Sequence, residues 1–159
     1  VDRQGRPGVW FFSLDAADRL AVWIARQFFH LNYRLARMRG SRRGERVRFN
    51  SRRAVKGGWD APQEFRWART GPARHAAPGS LEFFLVERYR LFAWEAARER
   101  LHTGKIHHTP YRLERAEVEA FSTRLFDLNG FRAPSTPPDS VLAAASVPVE
   151  IFPLRRADP

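Results

Sequence analysis

The sequence contains no cysteine, which excludes a disulfide framework, a thiolate metal site and a cysteine nucleophile. No apolar run approaches the roughly 20 residues that a helix needs to cross a bilayer, so no membrane partner is expected. The opening Val1-Asp2-Arg3-Gln4-Gly5 has no signal-peptide character, and a cytoplasmic protein is the expectation. Without an initiator methionine, the chain reads as the later part of something longer. Glycine-rich phosphate cradles are missing. Neither Ser13 nor Ser80 sits in the strand-to-helix elbow that activates a serine nucleophile. Lysine is nearly absent too: of 28 basic residues only Lys56 and Lys105 are lysines.

What the chain does have is aromatic bulk and arginine. With 159 residues, 43% hydrophobic and 13% aromatic, it can bury one substantial core, and a single domain over residues 1–159 is expected. The formal charge of +11 raises nucleic acid as a partner, through salt-dependent contacts to phosphates. The arginines, however, are spread through every segment, as a genome biased towards arginine codons would spread them. Nucleic acid binding through an arginine-rich sheet face is therefore the alternative reading, not the leading one.

Residues Gly8 to Leu14, with Val9, Trp10, Phe11 and Phe12, read as one strand buried on both faces. Asp15 is the expected N-cap of the following helix, with Asp18 in its first turn. That helix places Leu20, Trp23, Ile24, Phe28 and Leu31 on a core-facing stripe, with Arg19, Arg26 and His30 opposite. A turn is expected over Gly40 to Gly44. Beyond it, Val47, Phe49 and Ser51 alternate with Arg46, Arg48, Asn50 and Arg52. In Glu64 to Thr70, Phe65 and Trp67 face one way and Glu64, Arg66 and Ala68 the other, giving an antiparallel pair joined through Lys56-Gly57-Gly58. Ser80 caps a short helix through Glu87 whose buried stripe is Leu81, Phe84 and Leu85. A second hairpin, Tyr89 to Trp94 and Glu99 to His108, turns near Ala96 and Ala97. Ala116 to Phe121 is a strand, Thr123 to Asn129 a helix stopped by Gly130, and Ala144 to Phe152 a last strand with Val147, Val149 and Ile151 inward.

Two groups carry chemistry. Glu87 and Arg88 end a helix where the chain enters a sheet, so at least one points inward. They form either an internal ion pair or part of a ligand pocket, with Tyr89 beside them. Tyr33, Arg34 and Arg37 follow the first helix, as a C-terminal cap with a solvated arginine or as ligand contacts. No metal centre is expected. His102 and His108 share a strand face and Glu99 is near, but His107 points to the opposite side and no third ligand is evident.

The stretches Arg6-Pro-Gly-Val-Trp-Phe-Phe-Ser-Leu-Asp-Ala16, Leu20-Ala-Val22, His30-Leu-Asn-Tyr-Arg-Leu-Ala-Arg-Met38, Gly79-Ser-Leu-Glu-Phe-Phe-Leu-Val-Glu-Arg-Tyr-Arg-Leu91 and Gly104-Lys-Ile-His-His-Thr-Pro110 resemble the DUF2071, or YqjF-like, family. That family is grouped with the acetoacetate decarboxylase-like fold. The resemblance implies an α+β, mainly antiparallel, closed or conical β structure with flanking helices and an internal cavity. Family members carry further N-terminal strands, and their absence here leaves an open β edge that a partner chain or a second copy would cover, so a homo-oligomer is contemplated. By resemblance, the Schiff-base lysine of the decarboxylases falls around Asn32 to Arg34, where this chain has Asn-Tyr-Arg. Guanidinium is no amine nucleophile, so decarboxylation by that route is not expected. Lys105 is the remaining amine, on a hairpin strand. The expected function is binding of a small organic carboxylate or keto compound without a cofactor. The ligand-binding residues are Tyr33, Arg34, Arg37, Glu87, Arg88, Tyr89 and His107, with the three arginines as carboxylate clamps.

Overall fold

Alternation of more and less buried side chains runs along parts of several of the longer strands of this protein. The computed structural model describes residues 5–157. The strands are β1 (Val9–Trp10), β2 (Leu14–Ala16), β3 (Tyr33–Arg43), β4 (Arg46–Val55), β5 (Gly58–Trp59), β6 (Gln63–Arg69), β7 (Arg74–His75), β8 (Arg90–Glu95), β9 (Arg100–His108), β10 (Arg112–Ala120), β11 (Leu142–Ala144), β12 (Val149–Ile151) and β13 (Arg155–Arg156). Three short helices accompany them: α1 (Arg19–Phe28), α2 (Leu81–Val86) and α3 (Arg124–Leu128). None is long and apolar enough to cross a membrane, among the described residues.

The strands form two sheets. An eight-stranded sheet runs β11-β10-β6-β4-β3-β2, with β5 on β4 and β7 on β10, and curls into a half-barrel. A five-stranded sheet runs β1-β8-β9-β12, with β13 also on β9. Pairing is antiparallel except for β1 with β8 and β2 with β3. The class is α+β, as expected. The parallel β2–β3 pair needs a crossover, and α1 supplies it.

The expected β4–β6 and β8–β9 pairings form, with β5 inserted between β4 and β6: the chain turns at Lys56 and Gly57 and returns Gly58–Trp59 onto β4 before β6 begins. β4 pairs antiparallel with β6 and β8 with β9, the latter turning through Ala96 to Glu99. Ser80 caps α2 by accepting a hydrogen bond from the Phe83 N–H, and Gly130, at φ 78°, follows α3.

Several expectations are corrected. The expected strand Gly8 to Leu14 is two strands: β1 joins the five-stranded sheet, and β2, after a crossing at Phe11 to Ser13, joins the other. Asp15 lies within β2, and Asp18 is the N-cap, its Oδ1 accepting from the Ala21 N–H at 2.9 Å. Two acids three residues apart offer the same local signal, and the demand of β2 for Asp15 decides between them. Tyr33 and Arg34 open β3, the longest strand, instead of capping a helix. That strand runs through Gly40 to Arg43 and turns only at Gly44 and Glu45, with Gly44 in the left-handed region at φ 60°. The final expected strand divides into β11 and β12, and in β12 Val149 and Ile151 are exposed.

The apolar stripes of the first two helices are also outward. Leu20, Trp23, Ile24 and Phe28 are exposed on α1, as are Leu81, Phe84 and Leu85 on α2. Val22 is the residue α1 buries, while Ala25 and Phe29 pack on the core. Helical periodicity reports that a face is apolar, not that another element lies against it. The core itself is Leu31, Leu91, Ala93 and Ile106, ringed by Val9, Phe11, Phe29, Tyr33 and Leu154. At Gly8 a Cβ would lie 2.5 Å from the Phe92 ring and 2.9 Å from the Arg90 carbonyl oxygen, so only glycine lets β1 approach β8 this closely.

The outer face of the half-barrel is a ladder of opposite charges. Arg48 meets Glu64 at 2.7 Å, Arg46 meets Glu119 at 3.2 Å, and Arg66 lies 3.9 Å from Glu64.

Candidate functional site

On the inner face of the half-barrel, parity places Val47, Phe49, Ser51 and Arg53 of β4 beside Gln63, Phe65 and Trp67 of β6. The face has two chemical characters. One part is an apolar hollow of about 500 Å³, lined by Phe49, Phe65, Trp67, Val118, Phe121 and Leu125. The other is a polar end one register step away, where Ser51 is paired with Gln63.

At that end Arg53 and Asp15 form a buried ion pair, Nε to Oδ1 at 2.6 Å, with side chains 6% and 11% exposed. The guanidinium also donates to Ser13 Oγ at 2.8 Å, and Ser51 donates to the other Asp15 oxygen at 3.4 Å. Next to them Gln63 is 1% exposed, and neither its amide nitrogen nor its amide oxygen has a partner among the described residues. A buried amide without partners costs about 1–3 kcal/mol, a cost the fold carries at this end of the sheet. The sequence carried a signal for these residues. Inner parity runs on from Ser51 to Arg53, and back from Phe65 to Gln63.

A second constellation gathers around Glu87. α2 ends at Val86, and its C-cap Glu87 turns inward and is buried. One carboxylate oxygen accepts from the Tyr89 hydroxyl in a short hydrogen bond, and the other accepts from the Tyr111 N–H at 3.0 Å. His108 is buried and sandwiched, its ring 4.6 Å from that of Tyr89 and 4.8 Å from that of Tyr111. A histidine ring nitrogen, Nδ1, lies 2.9 Å from the Thr109 carbonyl. Loss of hydration, then the hydrogen bond and charge of Glu87, push the Tyr89 hydroxyl from 10.0 up to about 12. Because the folded value lies above the ordinary one, the contribution to stability is complete below pH 10 and disappears as pH rises towards 12. Tyr89→Phe is therefore expected to flatten the alkaline limb of a melting-temperature profile across that range, while losing about 1 kcal/mol at neutral pH. An unchanged alkaline limb would refute this account.

The structure thus brings Glu87 and Tyr89 together and disperses the remaining expected site residues. The expected Glu87–Arg88 ion pair is not formed. Consecutive side chains diverge here, and the Arg88 guanidinium lies 4.0 Å over the Phe84 ring. Tyr33 packs on the core. Arg34 is exposed, and Arg37 is exposed with its guanidinium 4.3 Å over the Trp59 ring. His107 is exposed and pairs in register with Glu150, whereas His108 is the buried neighbour, as strand parity requires. Lys105 is exposed on β9, and Asn32 donates from its side chain to the Phe12 carbonyl at 2.5 Å.

A model of the DUF2071 family, described as an uncharacterized conserved protein, matches residues 1–148. The chain is 37% identical over 138 residues to the "Uncharacterized protein YqjF" of Bacillus subtilis (strain 168), covering 87% of this chain. It spans about half the length of that relative, 55%. No solved structure matches it. With a family model matched over nearly its whole length, and with the quoted stretches supplying β1, β2 and parts of β3, β8 and β9, this chain belongs to the DUF2071 family.

Proposed function

We propose that the half-barrel binds a small organic molecule carrying a carboxylate or keto oxygen. Its apolar body lies along Phe49, Phe65 and Trp67, and its oxygen is directed to the Gln63 and Arg53 end. The observation that carries this reading is the apolar hollow of about 500 Å³ lined by Phe49, Phe65 and Trp67, with the polar Ser51–Gln63 pair two residues further along the same strand pair. Ligand sites are concave and mostly apolar, with a few fixed polar groups that set orientation, and the inner face has that composition. An acetoacetate decarboxylase-like architecture, implied by the family resemblance, agrees with a ligand held inside a curled sheet. Schiff-base turnover is not part of the proposal, because Lys56 lies in the exposed turn after β4 and Lys105 on an exposed strand position.

A second hollow, of about 420 Å³, lies beside Arg74, Ser80, Glu82 and Arg115. Its two arginines are exposed, and its lining is more polar than that of the first hollow. The nucleic acid alternative draws no support from the outer face, where glutamates engage Arg46, Arg48 and Arg66.

The test is a screen of alkyl and aryl carboxylates and ketones by thermal shift, followed by calorimetry on the best binder. A ligand at 100 times its Kd stabilises the fold by about 2.7 kcal/mol. Gln63→Met is expected to keep or raise the stability of the free protein, since it removes an unsatisfied buried amide, and to weaken ligand binding about tenfold. Failure of every compound to shift the melt, or Gln63→Met binding with full affinity, would defeat the proposal. Tight binding of a DNA duplex that collapses with added salt would favour the alternative.

A further inference from the structure

Away from the half-barrel, the β8–β9 hairpin and the connection between α1 and β3 bring His30 to two residues from a distant part of the sequence. We propose that His30, Glu95 and His102 form a site for a zinc-like divalent cation, held by two imidazole nitrogens and one carboxylate oxygen. One ligand atom from each lies within 4.8 Å of the others. Glu95 Oε2 and His102 Nε2 are already 2.9 Å apart, and the rings of His30 and His102 lie 4.9 Å apart. Ligand atoms around a tetrahedral zinc are separated by roughly 3.4 Å, so binding asks the Glu95–His102 pair to open by about half an ångström and His30 to draw in.

The surroundings suit a cation. Glu95 is buried, and the His102 side chain is 16% exposed, so the carboxylate competes weakly for water and is available to a dehydrated ion. Its other oxygen is engaged by Arg98, which leaves Oε2 as a monodentate ligand and fixes its direction. Backbone conformation is spent on this cluster. The non-glycine residues in the left-handed region are His30 and Glu99, both at φ 50°, among the described residues. The first is itself a ligand, and the second ends the turn that lays Arg98 on Glu95. Such conformations cost about 1 kcal/mol or more and gather at functional positions.

His30 also lines a cleft of about 180 Å³ with Trp10, Phe12, Asn32 and Trp94. Three protein ligands leave a fourth position for water or a small molecule, and of the three His30 is the one that borders the cleft. A search for partners within the stretch from Glu99 to His108 misses this set, because His30 arrives from a separate part of the chain.

The experiment uses the full chain, stripped with chelator and titrated with cobalt(II) and zinc(II). The expected result is one equivalent bound, with the visible absorption of tetrahedral cobalt and displacement by zinc. His30→Asn, chosen because asparagine tolerates a left-handed backbone, and His102→Gln should each weaken binding more than 100-fold, beyond the roughly 10–100-fold of a supporting residue. His75→Gln should bind as the parent does. If His102→Gln fails to fold, as judged by circular dichroism, His30→Asn decides alone. No stoichiometric uptake, or unchanged affinity in His30→Asn, would overturn the site.

Discussion

Replacing Arg53 with methionine is expected to destabilise the fold by about 3–5 kcal/mol, because it strands the largely buried Asp15 carboxylate without its countercharge. The arginine also holds Ser13, so the substitution frees the crossing segment that precedes β2. Charge stranding, not lost attraction, is the main cost. A buried ion pair replaced as a unit is often neutral, whereas a single removed partner leaves an uncompensated charge. The double variant Arg53→Met, Asp15→Asn should therefore recover most of the loss. Urea midpoints of the two singles and the double measure it. Additive losses in the double would show that the pair is not coupled in the way its 2.6 Å contact demands.

Leu91→Ala should cost about 2–5 kcal/mol, since Leu91 is 0% exposed at the centre of the core cluster and its removal leaves a cavity that fixed strands cannot collapse. The informative comparison is Leu20→Ala on α1. Leu20 is 63% exposed despite belonging to an apolar stripe, and its loss should fall within about 0.5 kcal/mol. Similar losses at the two positions would place the core wrongly.

These two residues also show what the sequence could and could not convey. Leu91 sits in a hairpin whose strands and turn were legible, because strand composition and turn residues are local signals. Phe65 and Trp67 were placed inward by period-two alternation, another local signal. Leu20 illustrates the converse. Its helix was legible as a helix and its stripe as apolar, but burial depends on which element packs there, and that is a tertiary fact. Asp15 was assigned to a cap because its long-range partner, Arg53, is invisible to any local window.

The candidate site was legible in part. Glu87 and Tyr89 were singled out from their place at a helix-to-sheet junction, and the structure joins them through a hydrogen bond. Arg34 and Arg37 drew notice by charge alone, and charge on a strand says nothing about direction until parity is fixed by its neighbours. Gln63 drew none. An uncharged amide two residues before a phenylalanine becomes informative only when its register partner, Ser51, and its lack of any hydrogen bond are known.

The crossing at Phe11 to Ser13 has a mechanical consequence. One short segment contributes an edge to both sheets, pairing Val9 with Leu91 on one side and Leu14 with Tyr33 on the other. The first of these pairings closes a long loop and the second a short one, so β2 can dock while β1 still awaits the hairpin of β8 and β9. The segment then works as a rivet driven last, and tension on it is shared by both halves of the molecule.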